Sequence, residues 1–227
     1  GLTVANVLTY PAGWRINLWI EWMVGALDKD ALRGYDRALL AAMHRLRSGL
    51  EVGAAPIGLG IDAVARCVPV ALRYAYDDHR APRAAADLSL ATHGELSTAI
   101  MSMALLEALR HAARHGGQSI QLHDWLGLIK AREQEWLSGD LPWTVQRGSG
   151  EDISMFLEAL EGQWPNGIRR GGDAVRTLRD LPSVQDDKSG LNSVDAVTTF
   201  MHAVLSALYD DRPPQDILAS VVGQGGD

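Results

Sequence analysis

The amino-acid sequence predicts an all-α fold, a compact globular arrangement of many helices, on three observations. Apolar residues recur at helical spacing along most of the chain, and no segment shows the alternation of a half-buried strand. Gly, Pro, Asp and Ser punctuate the apolar runs at intervals that suit helix ends and loops. No self-similar period of roughly 30 to 40 residues is present, which argues against a stacked solenoid.

The first run, 16–27, carries Leu18, Trp19, Trp22, Met23 and Ala26 at helical spacing. Asp28 is read as the cap of a second run through Ala31, Leu32, Tyr35, Leu39, Ala42, Met43 and Leu46, so the two runs form a helical hairpin. Ser48 and Gly49 stop that helix, and a Gly-rich loop at 53–60 with Pro56 inside it leads to Asp62. Val64, Ala65, Val68, Ala71 and Leu72 extend a helix from Asp62 despite Pro69. A turn is expected over 79–82, then a helix over 84–92 and a long alanine-rich helix over 95–115, ended by Gly116 and Gly117. Further helices are predicted at 124–137, 152–161, 173–180, 193–209 and 214–222.

Composition narrows the function. The chain has 227 residues and 47% hydrophobic content, enough for one domain to bury a large core. A formal net charge of -7 leaves no cationic excess to displace counterions from a phosphate backbone, so nucleic acid held by a basic surface is not expected. An anionic partner needs a local pocket. Cys67 is the one cysteine, so there is no intramolecular disulfide framework. The longest apolar stretches are interrupted by Glu21, Arg66 and Glu107, and no basic segment precedes an apolar run at the start. Neither a signal peptide nor a membrane span is expected, and the cytoplasm is the expected location.

Four pieces of sequence occur in a telling order. The stretch Gly58-Leu59-Gly60-Ile61-Asp62-Ala63-Val64-Ala65-Arg66-Cys67-Val68-Pro69 combines glycines, small residues, an arginine and a nearby proline. Thr92-His93 follows, then the alanine-rich helix, and last a helix over 190–209 ahead of Val221-Val222-Gly223-Gln224-Gly225-Gly226-Asp227. In that order these pieces resemble the ADP-ribosylglycohydrolase family.

The resemblance implies a helical fold with two magnesium ions (Mg2+) in a cleft, and a water activated for attack at a ribose carbon. ADP-ribose or an ADP-ribosylated molecule is the implied partner. Hard divalent cations need several oxygen ligands, so acidic residues must converge from separate segments. The family draws them from an early Thr-Asp-Asp-Thr motif and a late Asp-Thr-Asp-Thr motif. Here the early motif aligns with Trp14-Arg15-Ile16-Asn17, which has no carboxylate, and Arg15 puts a cation where a metal belongs. Asp227 corresponds to the first aspartate of the late motif and is the implied metal ligand. Asp62, Arg66 and His93 are the implied substrate-binding residues. The family asparagine falls on Leu59 and its methionine on Ala65, whereas Arg66 is retained. The expected organisation is a single domain over 1–227, lacking family segments at both ends, or a piece of a longer chain. Metal-assisted hydrolysis of a glycosidic bond to ADP-ribose is one expectation. A catalytically inactive member, a pseudoenzyme serving as a binding or interaction protein, is the other.

Each feature also has a plainer explanation. Asp62 and Arg66 lie one turn apart, and an exposed pair of that kind contributes only about 0.3–0.5 kcal/mol. An N-cap and a solvated arginine would account for them equally well. His93 suits the polar start of a helix. Glu151-Asp152, Asp186-Asp187 and Asp210-Asp211 are expected in loops or caps, and the consecutive carboxylates of Asp77-Asp78-His79 do not share a helix face. His111 and His115 have the spacing that binds zinc, but no third ligand is evident and a helix C-terminus favours histidine anyway. Most of the seven tryptophans are expected in the core; Trp143 and Trp164, each beside a proline, are the better stacking candidates.

Overall fold

The computed structural model of the chain describes residues 2–10, 13–31, 37–49, 61–94, 96–118, 120–137, 213 and 215–216. Among them are helices α1 (Leu2–Leu8), α2 (Ile16–Asp28), α3 (Arg37–Arg47), α4 (Ile61–Ala65), α5 (Cys67–Arg73), α6 (Arg80–Leu90), α7 (Leu96–Arg114) and α8 (Leu122–Leu137), and no strand. The all-α expectation holds. No helix among these residues is long and apolar enough to cross a membrane. The chain divides into two compact units, Gly1–Glu151 and Asp152–Asp227. All eight helices lie in the first. In the second, Asp216 donates its backbone N–H to the Pro213 carbonyl at 2.9 Å and is helical with Gln215. The rest of the helices predicted beyond 137 fall outside the described residues, as do the loop at 53–60, Trp143, Trp164 and the three later acidic pairs.

α7 is the central element of the first unit, with α4, α5, α6 and α8 packed around it. Its Ala99, Ile100, Met101, Met103, Ala104 and Leu106 are buried. Alanines on both partners let α6 and α7 approach closely: Ala81, Ala84, Ala85 and Ala86 are buried on α6. α1 lies against α2 and α5, and α2 pairs with α3 as the predicted hairpin.

Three boundaries differ from expectation. Asp28 is the last residue of α2 and caps nothing after it. The Asp30 N–H bonds to the Leu27 carbonyl at 3.0 Å and the Ala31 N–H to the Ala26 carbonyl at 2.8 Å, with Asp30 at φ +49°. That closure satisfies the last carbonyls of α2 and leaves Ala31 outside any helix, so the second run does not continue directly from Asp28; its described helix is Arg37–Arg47. Second, the helix expected to run through Pro69 is broken at Arg66. Pro69 has no N–H for the Ala65 carbonyl, and its ring crowds that carbonyl, so α4 stops at Ala65. Third, Pro82 lies in the first turn of α6, where its missing N–H has no intrahelical partner in any case. The turn comes earlier, with Asp77 Oδ1 accepting from the backbone N–H of His79 at 3.1 Å and of Arg80 at 2.8 Å. α7 ends as predicted: the Gly117 N–H reaches the Ala112 carbonyl at 2.7 Å across Gly116 at φ +64°.

Candidate functional site

The approach to α2 is held by its backbone. Gly13 sits at φ +75°, and its N–H donates to the Tyr10 carbonyl at 2.9 Å. The next N–H, of Trp14, donates to the Tyr74 hydroxyl at 2.8 Å, tying this segment to the end of α5. The Trp14 indole Nε1 donates to Asp87 Oδ2 at 3.3 Å, and Arg83 Nε lies 3.4 Å from Asp87 Oδ1 on α6. Arg15 is extended, with φ -141° and ψ 116°, and places no side-chain cap on α2.

Residues 14–17 thereby line a cleft of about 480 Å³, completed by Leu18, Glu21 and Asp87. Arg15 and Asn17 are exposed in it. The first N–H groups of α2 lie at the same place and add positive potential. The lining thus combines one cation, one amide, an indole and the carboxylates of Glu21 and Asp87.

Behind the cleft, α2 also borders a buried polar chain. Trp19 is buried, and the Arg66 guanidinium carbon lies 5.7 Å from its ring centroid, in cation–π range. Arg66 Nη1 donates to Thr92 Oγ1 at 2.8 Å, and Thr92 Oγ1 lies 2.7 Å from His93 Nδ1. Arg66 is 6% exposed, while Thr92 and His93 are fully buried. A hydroxyl has one donor and two acceptor sites, so Thr92 joins Arg66 and His93 in one hydrogen-bonded chain.

The fold therefore brings Arg66 and His93 together through Thr92 and buries them. Burial overturns the solvated arginine, and His93, although it stands just ahead of α7, is not an exposed polar residue. Asp62 belongs to α4 by its backbone, and its side chain lies outside the described residues; Asp227 lies outside them altogether. Asp77 caps α6, and Asp78 pairs with Arg110 and with Arg114, the latter at 2.6 Å. Both carboxyls are held below the usual range, Asp77 chiefly by the Arg80 N–H and Asp78 chiefly by Arg114 and then Arg110.

Residues 6–227 match the ADP-ribosylglycohydrolase family. The chain belongs to this family. No curated protein and no solved structure matches it. Membership of the ADP-ribosylglycohydrolase family places the chain among hydrolases whose substrates are ADP-ribosylated molecules and which are generally metal-dependent.

The described cleft does not fit a pair of magnesium ions. Two such ions need several converging oxygens, and among the described residues no group of three or more His, Cys, Asp or Glu is placed to hold a metal. The cleft offers Glu21, Asp87 and the Asn17 amide, with Asp87 bonded to an indole N–H and beside Arg83. Glu21 and Asp87 are the site residues that sequence reasoning missed. Arg83 four residues before Asp87, on an otherwise alanine-rich helix, was the available signal of a carboxylate held in place.

Proposed function

We propose that this chain is an ADP-ribosylglycohydrolase-like protein that takes the ADP-ribose part of an ADP-ribosylated molecule into the cleft at the start of α2. The observation that carries this is the cleft itself. The segment aligned with the family's early motif opens into a concavity lined by Trp14, Arg15 and Asn17, with Glu21 and Asp87 also on its wall. Arg15 and the α2 N-terminus offer positive potential to a diphosphate, and Trp14 offers a ring face to the base or sugar. The reading treats 1–227 as one family domain, with Asp62 among the substrate-binding groups. Arg66 and His93 act from behind, fixing Thr92 and the end of α6.

Two versions of this function differ in chemistry. In the first, the chain hydrolyses the glycosidic bond with Mg2+, and Asp227 is among ligands supplied from beyond the described residues. A family match that extends to residue 227 favours it. In the second, the chain binds ADP-ribosylated molecules without hydrolysing them. Arg15 at the early acidic position favours that version.

Calorimetric titration with ADP-ribose, with and without magnesium, paired with an assay for ADP-ribose release from an ADP-ribosylated protein, tests both. Magnesium-dependent binding with release supports the hydrolase. Magnesium-independent binding without release supports the binder. No binding of ADP-ribose at millimolar concentration under either condition would overturn the proposal.

A further inference from the structure

A second pair of donors lies at the far end of α7, on residues the ADP-ribose reading does not use. His111 is in the last turn of α7 and His115 follows Arg114, the last residue of the helix. The i,i+4 spacing puts both rings on one face. They are stacked, with centroids 4.1 Å apart and planes inclined by 25°, so a shared ion requires the His111 ring to turn until the in-plane lone pairs of both rings converge. His115 is exposed and His111 half-buried.

The hydrogen bonding fixes which nitrogen is available on one ring. His115 Nδ1 lies 2.9 Å from the His111 carbonyl oxygen. A carbonyl only accepts, so Nδ1 carries the proton, and the lone pair of the neutral ring is on Nε2. A ring that donates its other N–H to a backbone carbonyl is held as metal-ligating histidines are held. The turn beneath is secured by the bond from the Gly117 N–H to the Ala112 carbonyl. The two adjacent cations are drawn elsewhere, Arg110 to Glu107 and Asp78, and Arg114 by its Nε to the Ala75 carbonyl and by its Nη2 to Asp78. The carbonyl end of a helix favours a positive charge.

We propose that His111 and His115 form a surface chelating site for a borderline divalent transition-metal ion such as nickel, zinc or copper, with water completing the coordination shell. Imidazole nitrogens suit these ions, whereas magnesium prefers oxygen, so the site is chemically distinct from the magnesium chemistry of the family. Two protein ligands make it an exchangeable site, not a structural one.

The test is calorimetric titration of the full chain with nickel chloride and, separately, magnesium chloride, using wild type, His111→Gln, His115→Gln and the double variant. Circular dichroism checks that each variant keeps its helices. Wild type is expected to take up a nickel equivalent that each single variant and the double variant lose, and magnesium is expected to bind all four proteins alike. Nickel binding of equal stoichiometry and affinity in wild type and the double variant would overturn the proposal, as would no nickel binding by wild type at millimolar concentration. Neither result depends on whether ADP-ribose binds.

Discussion

The Arg66 guanidinium donates to Thr92 Oγ1 across 26 residues of sequence, at 2.8 Å and away from water. Thr92→Val keeps the shape and removes the acceptor of that bond. A loss of about 1–3 kcal/mol is expected, read as a lower urea midpoint with an unchanged slope. Thr92→Ser keeps the hydroxyl and should recover most of that stability. A valine protein as stable as wild type would show that the hydrogen bond contributes nothing to stability there.

The same residues mark where the sequence was legible. The end of α7 was readable to one residue because Gly116 and Gly117 act locally, through a left-handed turn at Gly116. Arg66 was recognisable by its motif, but its burial was not, because the groups that meet it, Trp19 and Thr92, come from distant parts of the chain. Asp87 was hidden for a similar reason. Its role depends on the approach of Trp14 from 73 residues away, which no local pattern encodes. Arg15, Asn17 and Trp14 were named from the resemblance, and the fold adds that they line a cleft.

Gly13 is required by both its backbone and its neighbour. Its φ is +75°, and a Cβ added there would lie 2.9 Å from the Tyr74 hydroxyl oxygen. Gly13→Ala should destabilise by about 1–3 kcal/mol, combining the left-handed conformation with displacement of the hydroxyl that accepts from Trp14. Tyr74→Phe removes the clashing atom, so the double variant should be less destabilised than the sum of the singles. Strict additivity in denaturant melts would show that the contact with Tyr74 carries no part of the effect.

Asp78 gives the acid limb of stability a specific origin. Arg114, and after it Arg110, hold its carboxyl below the usual range near 4. A depressed carboxyl stabilises the fold at pH values above its unfolded-state pKa, and that contribution disappears as pH falls through the folded-state value. Wild type should therefore exceed Asp78→Asn in stability at neutral pH and lose that advantage in acid. The side chain is 61% exposed, so screening keeps the difference below about 1 kcal/mol. Denaturant midpoints for both proteins between neutral pH and strong acid check it; a constant gap across that range would remove the ion pairs as the cause.

Cys67 reports on global opening. Burial pushes its thiol up to about 12, against smaller opposing effects of a Ser102 hydrogen bond and the Arg66 charge. Thiolate is the reactive form, so alkylation at pH 8 should be negligible in the folded protein and rapid in denaturant. Adding ADP-ribose should slow residual labelling if binding stabilises the fold, because labelling then requires unfolding against the ligand. Fast labelling of the native chain would mean that the region around α5 opens locally.

Arg15 decides whether the cleft meets the diphosphate. The residue is exposed, and the first turn of α2 that follows it has no acidic residue. Arg15→Gln should weaken ADP-ribose binding roughly two- to five-fold at low salt, the range of an exposed ion pair, and Arg15→Glu should weaken it further by adding repulsion. Adenosine has no phosphate, so its affinity should be the same in all three proteins. The differences should also shrink in half-molar salt, where screening acts over only a few ångströms. Calorimetry at two salt concentrations separates this from a packing effect, which salt would leave in place. An Arg15→Glu protein that binds ADP-ribose as wild type does would take the diphosphate away from this cleft and leave Trp14 and Asp87 with a purely structural pairing.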